Sequence, residues 1–359
     1  MLALQRLKLK GFKSIREFEM NLRRINVLIG QNGAGKSNFI SFFRLLNEII
    51  EERLQTYVAQ SGGADNFLHY GQKVTKAVQA AMYFGRNGYL IELLPTEDDT
   101  LVVSEDFFFS GDYGPSSPRV GRGNKETKAH QALENDPRGI PSYVVPSIKR
   151  WKVYHFHDTS SSSPMKKTGD IHDNAFLRPN AENLAAFLYL LQEKHPGHYD
   201  LIRATIQRVF PLFGDFLLRP NPLNEDTIRL EWQEKGSDYR FGPHQLSDGT
   251  LRFICLATLL LQPNRPSTIL IDEPELGLHP AALEVLGGLV RNASQYTQII
   301  MTTQSVNLLN EFEPEDIITV DREAGASVFQ RHTRDELAAW LEEYSLAEIW
   351  EKNIIGGRP

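Results

Sequence analysis

Apolar and polar residues alternate along the chain in patterns that predict a series of strands and helices. Period-two alternation over residues 2–10 predicts a first strand, and the apolar run Ile25–Ile29 predicts a second one that leads directly into a glycine-rich turn at Gly30. Over residues 38–53, apolar side chains recur at the spacing of an amphipathic helix. A strand, a glycine-rich turn and a helix in this order are the setting of a phosphate-binding loop.

The middle of the chain combines short strands, turn-rich segments and helices. Short apolar runs on either side of a turn at 85–88 predict an antiparallel hairpin region over 74–109. Segments 110–124 and 159–168 are rich in Gly, Pro or Ser, which predicts mobile loops. The remaining predicted elements here are a strand over 151–156 and helices over 183–192 and 199–209, with a break at Pro196 and Gly197.

Beyond residue 241, helices and strands follow one another in alternation. The predicted elements are a helix over 251–261, a strand over 268–271, a helix over 280–291, a strand over 298–302 and an amphipathic helix over 333–350. Strands separated by helices predict a sheet with parallel strands, so the fold class is α/β. The sequence contains no internal repeat and no sustained heptad pattern.

Composition narrows the class of protein without identifying it. The 359 residues include 39 Lys and Arg against 45 Asp and Glu, a net charge of −6, and 41% are hydrophobic, as in ordinary globular proteins. The one cysteine, Cys255, cannot form an internal disulfide. The longest apolar stretch, 253–261, is far shorter than the roughly 20 residues that span a bilayer. We therefore expect a soluble cytoplasmic protein without membrane contact, and the slightly acidic net charge does not exclude a local basic groove for nucleic acid.

The glycine-rich turn matches the pattern G-x-x-x-x-G-K-[ST] at every fixed position. It consists of Gly30, Gln31, Asn32, Gly33, Ala34, Gly35, Lys36 and Ser37, and Asn38 follows. Glycines let successive backbone N–H groups turn toward phosphate oxygens, and the following helix adds the positive end of its dipole. Lys36 would reach the β- and γ-phosphates of ATP, and Ser37 would bind Mg²⁺. The alternative, a β–α turn that binds nothing, does not explain why every position of the pattern is filled.

A second motif is an apolar run that ends in two adjacent carboxylates, Asp272 and Glu273. A buried strand that ends in acids places them at the carboxyl edge of a parallel sheet, where ligands of α/β folds bind. Asp272 would then hold Mg²⁺, and Glu273 would take a proton from attacking water. The alternative is a surface turn after a core strand, which is less favoured because the same chain also contains a phosphate loop.

A third motif, Leu-Ser-Asp-Gly-Thr at 246–250, directly precedes an apolar helix. Ser247 or Asp248 can act as an ordinary helix N-cap, because a side-chain oxygen there accepts hydrogen bonds from unpaired N–H groups. In the functional alternative, Ser247, Asp248 and the Gly249 backbone N–H form a second anion site that receives a γ-phosphate. The order and spacing of the three motifs favour the functional alternative.

In that order the chain resembles the ABC-type ATPases, specifically their RecF/SMC/OLD-like branch. The resemblance is carried by the phosphate loop with Asn38, by KGFKSI at 10–15, by LSDGT at 246–250 and by IDEPELGLHP at 271–280. It implies that two copies join head to tail, with each ATP between the phosphate loop of one copy and the LSDGT signature of the other. Residues 275–279 would then be the D-loop that connects the two sites.

The resemblance also implies a domain organisation. It predicts a P-loop ABC-type ATPase core with a mixed sheet and helices, an antiparallel β subdomain and a small helical lid or insertion. The core comprises 1–75 and 241–332, the less distinctly matching insertion 76–240, and a C-terminal helix and tail 333–359. We expect a compact stand-alone ATPase without the coiled coil of SMC proteins or the Toprim nuclease domain of OLD proteins.

Two positions depart from the pattern of this branch. Gln304 stands where the family usually has a histidine that contacts the γ-phosphate, and a glutamine can donate a hydrogen bond but cannot carry a positive charge. We therefore expect slow turnover with ATP binding intact. The glutamine of the family's Q-loop has no clear counterpart, and both Gln72 and the segment 151–159 are candidate locations.

Other residues have chemistry that the ATPase motifs do not use. The metal-ligand types near the predicted strand 151–156 are His155, His157, Asp158, Asp170, His172 and Asp173. His155 and His157 alternate along the strand and so face the same side, which ordinary strand patterning also explains. A structural or nucleotide-sensing role is therefore favoured over a metal site. Basic clusters at 119–128 and 149–152 could touch DNA phosphates, although such clusters are more often simply solvated.

The leading interpretation is an ATP-gated switch that controls DNA engagement or a separate effector protein, with bacterial defence against phage as a candidate setting. A RecF-like DNA-repair clamp is the nearest alternative. A transporter subunit is less favoured because about 210 residues separate Ser37 from Ser247, a wider spacing than is usual in that class. A metal-dependent nuclease with its own site at 155–173 is a further alternative.

Overall fold

A computed structural model describes residues 3–111, 114–116 and 119–357. The strands are β1 (Arg6–Phe12), β2 (Ile15–Asn21), β3 (Ile25–Ile29), β4 (Val78–Phe84), β5 (Asn87–Pro95), β6 (Leu101–Gly111), β7 (Gly114–Ser116), β8 (Arg119–Asn124), β9 (Trp151–Tyr154), β10 (Gly169–Asp170), β11 (Phe213–Phe216), β12 (Pro220–Asn221), β13 (Asn224–Ile228), β14 (Trp232–Glu234), β15 (Thr268–Asp272), β16 (Gln298–Thr303), β17 (Ile317–Glu323) and β18 (Ala326–Arg331). The helices are α1 (Lys36–Ile50), α2 (Leu54–Gln60), α3 (Ala129–Asn135), α4 (Pro141–Lys149), α5 (Leu184–Lys194), α6 (Pro196–Val209), α7 (Asp248–Leu261), α8 (Pro280–Ser294), α9 (Val306–Leu309), α10 (Arg334–Leu341) and α11 (Leu346–Glu351).

Two sheets enclose helix α1. The first sheet is antiparallel, with the order β2-β1-β4-β5-β6-β7 and β8 paired to β6. Helix α1 buries its phenylalanines Phe39, Phe42 and Phe43 in a core shared with both sheets, which includes Leu9 of β1 and Leu270 of β15. The apolar spacing that predicts this helix therefore reflects contact on several sides.

The second sheet has the order β18-β17-β3-β16-β15-β9. Strands β17, β3, β16, β15 and β9 run parallel, and β18 returns as a hairpin. Every residue of β3 and β16 is buried, as expected of parallel strands covered on both faces. On the face away from α1, helices α5 to α8 pack on the sheet through a second core. The α/β class predicted from the sequence is confirmed.

Most predicted elements are present with small shifts at their ends. Strand Ile25–Ile29 has the predicted bounds, and the predicted hairpin region contains the antiparallel pair β4 and β5. Helix α1 begins at Lys36 rather than at 38, and the first strand begins at Arg6 rather than at 2. Pro196 is the first residue of α6 and not a separate break, because proline fits the first turn of a helix.

The predicted mobile loop over 110–124 was wrong in part, because β7 and β8 lie within it. Strand β8 pairs with the long strand β6, and side chains of β6 supply further acceptors: Asp106 accepts from the Val120 N–H and Ser104 from the Gly123 N–H. Pairing with an existing strand edge thus overrides the local turn composition. Residues 112–113 and 117–118 of this segment lie outside the described residues.

The predicted helix over 333–350 is two helices, α10 and α11. Ser345 between them has an extended backbone, and its hydroxyl accepts the Glu348 N–H while the Glu348 carboxylate accepts the Ser345 N–H. This reciprocal capping box starts a new helix and ends the periodic run. The sequence carried the signal as Ser-x-x-Glu at 345–348, inside a stretch whose apolar spacing looks continuous.

The segment 76–240, predicted as an insertion, contributes to both sheets. Strands β4 to β6 extend the first sheet from β1, and β9 forms an edge of the second sheet beside β15. The same segment also contains the small sheets β10-β13-β12 and β11-β14. The division of the chain into domains stays a prediction. Within the described ranges, no helix combines the length and the apolar character needed to cross a bilayer.

We predict that Gln298→Met lowers the free energy of unfolding by about 2–5 kcal/mol, because the Leu4 N–H and carbonyl lose their partner and the Arg23 carbonyl keeps only its bond from Asn26. The buried Gln298 side chain donates to the carbonyls of Leu4 (2.8 Å) and Arg23 (2.9 Å) and accepts the Leu4 N–H (3.2 Å), which ties the start of the chain to β16. Urea unfolding followed by circular dichroism measures the change.

The matched control is Gln79→Met on the exposed side of β4, which should change stability by no more than about 0.5 kcal/mol. Equal unfolding midpoints for the two variants would contradict the structural role of Gln298.

Candidate functional site

The glycine-rich turn connects the end of β3 to the first residue of α1. Gly30, Gly33 and Gly35 all have positive φ, with Gly35 at 119°. A Cβ atom at Gly35 would lie 2.0 Å from the Ser327 hydroxyl oxygen, so no larger residue fits there. Glycine is therefore required both by the backbone conformation and by the close approach of β18.

Lys36 is buried inside this turn. Its ammonium donates to the carbonyls of Gly30 (2.5 Å) and Gln31 (3.1 Å), and its side chain forms no ion pair among the described residues. Burial lowers the pKa of Lys36, and the carboxylates of Glu273 and Asp272 oppose this effect. The following residue, Ser37, is exposed. The turn thus holds a buried cation on backbone oxygens beside an accessible hydroxyl.

Two serines distant in sequence brace the turn. Asn38 donates to the Ser14 hydroxyl (2.8 Å), and the Ser327 hydroxyl lies between Ser14 (2.7 Å) and the Ala34 carbonyl. Ser14 belongs to the KGFKSI motif, to which the sequence analysis assigned no such contact. Ser327 has no sequence signal at all, because it meets the turn only through the folding of β17 and β18.

The two carboxylates lie at the carboxyl end of β15, and β16 lies between this strand and β3. Asp272 is paired in register with Thr302 of β16, whose hydroxyl donates to the Asp272 carboxylate. Glu273 leaves the strand with a left-handed φ of 44°, which is rare for a residue other than glycine and indicates local strain. Its N–H is held by the Thr302 carbonyl (3.1 Å) and hydroxyl (3.2 Å).

Gln304 joins these two parts of the site. Its side-chain amide donates to Asn32 of the glycine-rich turn (2.8 Å) and to the Glu273 carboxylate. Its backbone N–H donates to Glu275 (2.7 Å), whose pKa is raised by burial. Residues from three strand ends are therefore connected through one glutamine side chain.

The LSDGT turn lies at the start of α7. The Ser247 hydroxyl accepts the Thr250 N–H (3.1 Å), so the capping geometry considered as an alternative is present. A Cβ at Gly249 would lie 2.1 Å from the Gly277 carbonyl oxygen, which packs this turn against segment 275–279. Among the described residues, no hydrogen bond or ion pair links residues 246–250 to the glycine-rich turn.

Two buried cations that the sequence analysis missed hold segment 155–159 against α7. Arg252 donates to the carbonyls of Phe156 (2.9 Å) and His157 (3.2 Å). Lys166 donates to the Thr159 carbonyl (2.5 Å) and lies 3.4 Å from the Asp248 carboxylate. An arginine within the otherwise apolar run 251–261 was the available signal, since buried charges are rare without a specific partner.

The histidines after β9 contact the edge of the same site. His157 Nε2 lies 2.7 Å from the Asp272 carbonyl oxygen, and His155 contacts Arg44 of α1. Burial, together with the Arg44 charge, lowers the pKa of His155 to about 4. The two candidate Q-loop locations differ in their contacts, because segment 151–159 touches Asp272 while the Gln72 backbone N–H donates to Asp65.

Side chains of the metal-ligand types in 155–173 bond to other partners. Asp158 bonds to Ser160, Asp173 to Arg178 and His172 to Asp226. In the parts of the chain that the structure describes, no group of three or more His, Cys, Asp or Glu side chains is arranged to hold a metal ion. The metal-site alternative therefore has no structural support in those parts.

Comparisons with known proteins agree with this architecture. The head domain in the structure "SmcHead bound to the C-winged helix domain of ScpA" matches with a TM-score of 0.57 at 15% identity, covering 94% of this chain and 99% of that one. The Smc head domain with an extended coiled coil bound to the C-terminal domain of ScpA, derived from Pyrococcus furiosus, matches with a TM-score of 0.56 at 15% identity, covering 96% and 99%. No curated protein matches the chain.

The fold is that of an ABC-type ATPase of the SMC/RecF-like branch. The chain belongs to the family described as "AAA domain, putative AbiEii toxin, Type IV TA system", which matches residues 98–310, more than half of its length. A second family, described as "AAA ATPase domain", matches residues 3–110.

We predict that Gly249→Ala lowers the free energy of unfolding by about 1–3 kcal/mol, because the added methyl group meets a backbone oxygen that cannot move aside cheaply. Gly288→Ala in α8 is the matched control, since its Cβ would meet only a flexible arginine end at 3.9 Å. The control should be neutral or stabilising by up to about 1 kcal/mol. Urea unfolding of both variants tests the contact, and equal effects would refute it.

Proposed function

We propose that this protein binds and hydrolyses ATP and acts as a switch that dimerises head to tail. The observation that carries the proposal is the Gln304 side chain, which bonds to both Asn32 and Glu273 and so joins the glycine-rich turn to the acidic strand end. The LSDGT turn has no bond to this centre in the described chain. We infer that the LSDGT turn of a second copy completes the site.

The glycine-rich turn suits the triphosphate. Lys36 rests on backbone carbonyls, so its charge is available to phosphate oxygens. Ser37 and Asp272 offer the hard oxygen ligands that Mg²⁺ prefers, and both fit such an ion by their chemistry. Bound Mg²⁺ would neutralise charge that develops on the phosphates. The turn contributes Gly30, Asn32, Gly33, Ala34, Gly35 and Asn38 to the same binding surface.

Glu273 and Gln304 would act on the attacking water and the γ-phosphate. The Glu273 carboxylate accepts a hydrogen bond from Gln304 and can take a proton from water positioned beside it. Gln304 can turn its amide N–H groups toward the γ-phosphate but brings no positive charge. The transition state therefore gains a hydrogen bond without a full counter-charge, which accounts for the slow turnover that we expect.

The partner copy would complete the site with the start of α7. Ser247 and the N–H groups at Asp248 and Gly249 lie at the positive end of this 14-residue helix, and Lys166 partly offsets the Asp248 charge. ATP between two copies would stabilise the dimer because it binds the dimer more tightly than the monomer. Loss of the γ-phosphate would then remove the contacts that the LSDGT turn of the partner copy makes. We propose that the dimer controls a separate effector in defence, which the toxin description of the matched family supports.

We predict that Glu273→Gln forms a stable dimer with ATP and Mg²⁺, while Lys36→Ala stays monomeric. The first variant keeps the contacts of the γ-phosphate but lacks the base, whereas the second loses the cation that holds the phosphates. Light scattering after gel filtration measures the mass. The same mass for both variants in ATP would contradict the gating mechanism.

A mixing experiment tests the head-to-tail arrangement. Lys36→Ala and Ser247→Arg should each be inactive alone, but their mixture should regain ATPase activity, because one of the two sites in a mixed dimer has an intact half from each copy. Absence of activity in the mixture, with both variants folded, argues against a shared site.

We predict that Gln304→Ala lowers kcat by about 10–100-fold while the affinity for ATP changes by less than about threefold, because the lost donor acts mainly in the transition state. Gln304→His, which can carry a positive charge, should turn over at least as fast as the wild type. Steady-state hydrolysis and ATP titration measure these values. Undiminished hydrolysis by Gln304→Ala would show that this side chain has no such role.

A further inference from the structure

A basic cleft is lined by residues of the edge strand β9. It has a volume of about 880 Å³, and seven of its lining residues are arginine or lysine against two glutamates. We define it by Arg44, Lys149, Arg150, Lys152, Phe176 and Arg265. A local excess of five positive charges in a chain with a net charge of −6 indicates a site for an anion.

Four of the cations that line the basic cleft form no ion pair with a described carboxylate. Of the seven lining cations, Lys149 of the cleft and two further residues at its wall, Arg53 and Arg178, form ion pairs among the described residues. The other four do not: Arg44, Arg150, Lys152 and Arg265. In the described ranges these four therefore have no ion-pair partner, and Arg44 contacts only the His155 ring.

Backbone contacts hold two of these guanidinium groups in place. Arg150 Nη2 donates to the Arg265 carbonyl (2.7 Å), and Arg265 Nε donates to the Leu260 carbonyl (2.8 Å). A guanidinium has five N–H donors, so a single backbone bond orients each side chain and leaves several donors for phosphate oxygens. Burial lowers the pKa of Lys152, and the neighbouring cations Arg53, Lys149 and Arg178 add to this effect against Glu51.

An aromatic ring lies among these charges. Phe176 is 41% exposed, and Lys152 Nζ (5.4 Å) and Arg178 Cζ (5.0 Å) lie over its ring as cation–π partners, so a stacked base would take the place of one of them. An inorganic anion or an acidic peptide would use the cations but not the ring. A nucleic acid strand uses both, because unpaired bases stack on exposed aromatic side chains while phosphates bind the surrounding cations.

We propose that the basic cleft binds single-stranded nucleic acid, with phosphates on Arg44, Arg150, Lys152 and Arg265 and a base on Phe176. Duplexes fit less well, because their bases are stacked on one another and cannot reach the ring. The cleft is separate from the glycine-rich turn, since Arg44 lies eight residues along α1 from Lys36, about 12 Å at 1.5 Å per residue. The proposal does not depend on ATP-driven dimerisation.

The test is fluorescence anisotropy with labelled oligonucleotides about 20 nucleotides long, as single-stranded DNA, single-stranded RNA and duplex DNA. Binding is measured over a range of salt concentrations and without ATP. Wild-type protein should bind a single strand more tightly than the duplex. The variant Arg150→Gln with Lys152→Gln should bind at least about tenfold more weakly at 0.1 M salt. Its slope of log affinity against log salt should fall in magnitude by roughly 1.4, or about 0.7 for each lost phosphate contact.

Phe176→Ala separates stacking from charge. It should weaken binding of the single strand by roughly 5–150-fold with an unchanged salt slope, because no cation is lost. The charge-matched control, Lys73→Gln with Lys76→Gln on an exposed segment, should bind as the wild type does. Unchanged thermal unfolding of each variant confirms that it is folded.

Three results would overturn the proposal. The first is no binding of any single strand by the wild type, and the second is equal binding by the cleft variant and the control. The third is displacement of the oligonucleotide by poly-glutamate at equal concentration with no effect of Phe176→Ala, which would assign the cleft to an acidic protein segment. Because no arm contains ATP, failure of the ATP switch would leave each result unaffected.

Discussion

Parallel pairing of β3, β16 and β15 is the constraint on which the rest of the site depends. The register places Ile29 opposite Thr303 and Asp272 opposite Thr302. The residues that follow these pairs must therefore emerge at one edge, where Gln304 meets both the glycine-rich turn and Glu273. A shift of one strand by a single residue would turn every side chain to the opposite face and separate these groups.

Local motifs made part of this site predictable, while long-range contacts did not. The phosphate loop and the acid-ended strand are short runs whose chemistry depends on adjacent residues, so their presence could be predicted from the sequence. Ser327 meets Ser14 across more than 300 residues, and no periodicity reports such a contact. The boundary at Ser345 was readable as a capping box, yet the apolar spacing on both sides concealed it.

Buried cations near the site share one arrangement. Lys36 and Arg252 rest on backbone carbonyl oxygens, and Lys166 does so as well with a weaker approach to Asp248. Carbonyl dipoles offset much of the cost of burying a charge without cancelling the charge itself. The glycine-rich turn and the start of α7 thus keep local positive charge, although the chain as a whole is acidic.

Helix α1 is one continuous element that extends from the glycine-rich turn to the basic cleft. Its 15 residues span about 22 Å, and nine of them are buried. Lys36 stands at one end, and the wall of the basic cleft, from Arg44 onward, forms the other. A close-packed rod of this kind transmits displacement instead of absorbing it. The glycine-rich turn and the basic cleft therefore share one close-packed helix, and the same core fixes the positions of their walls relative to each other.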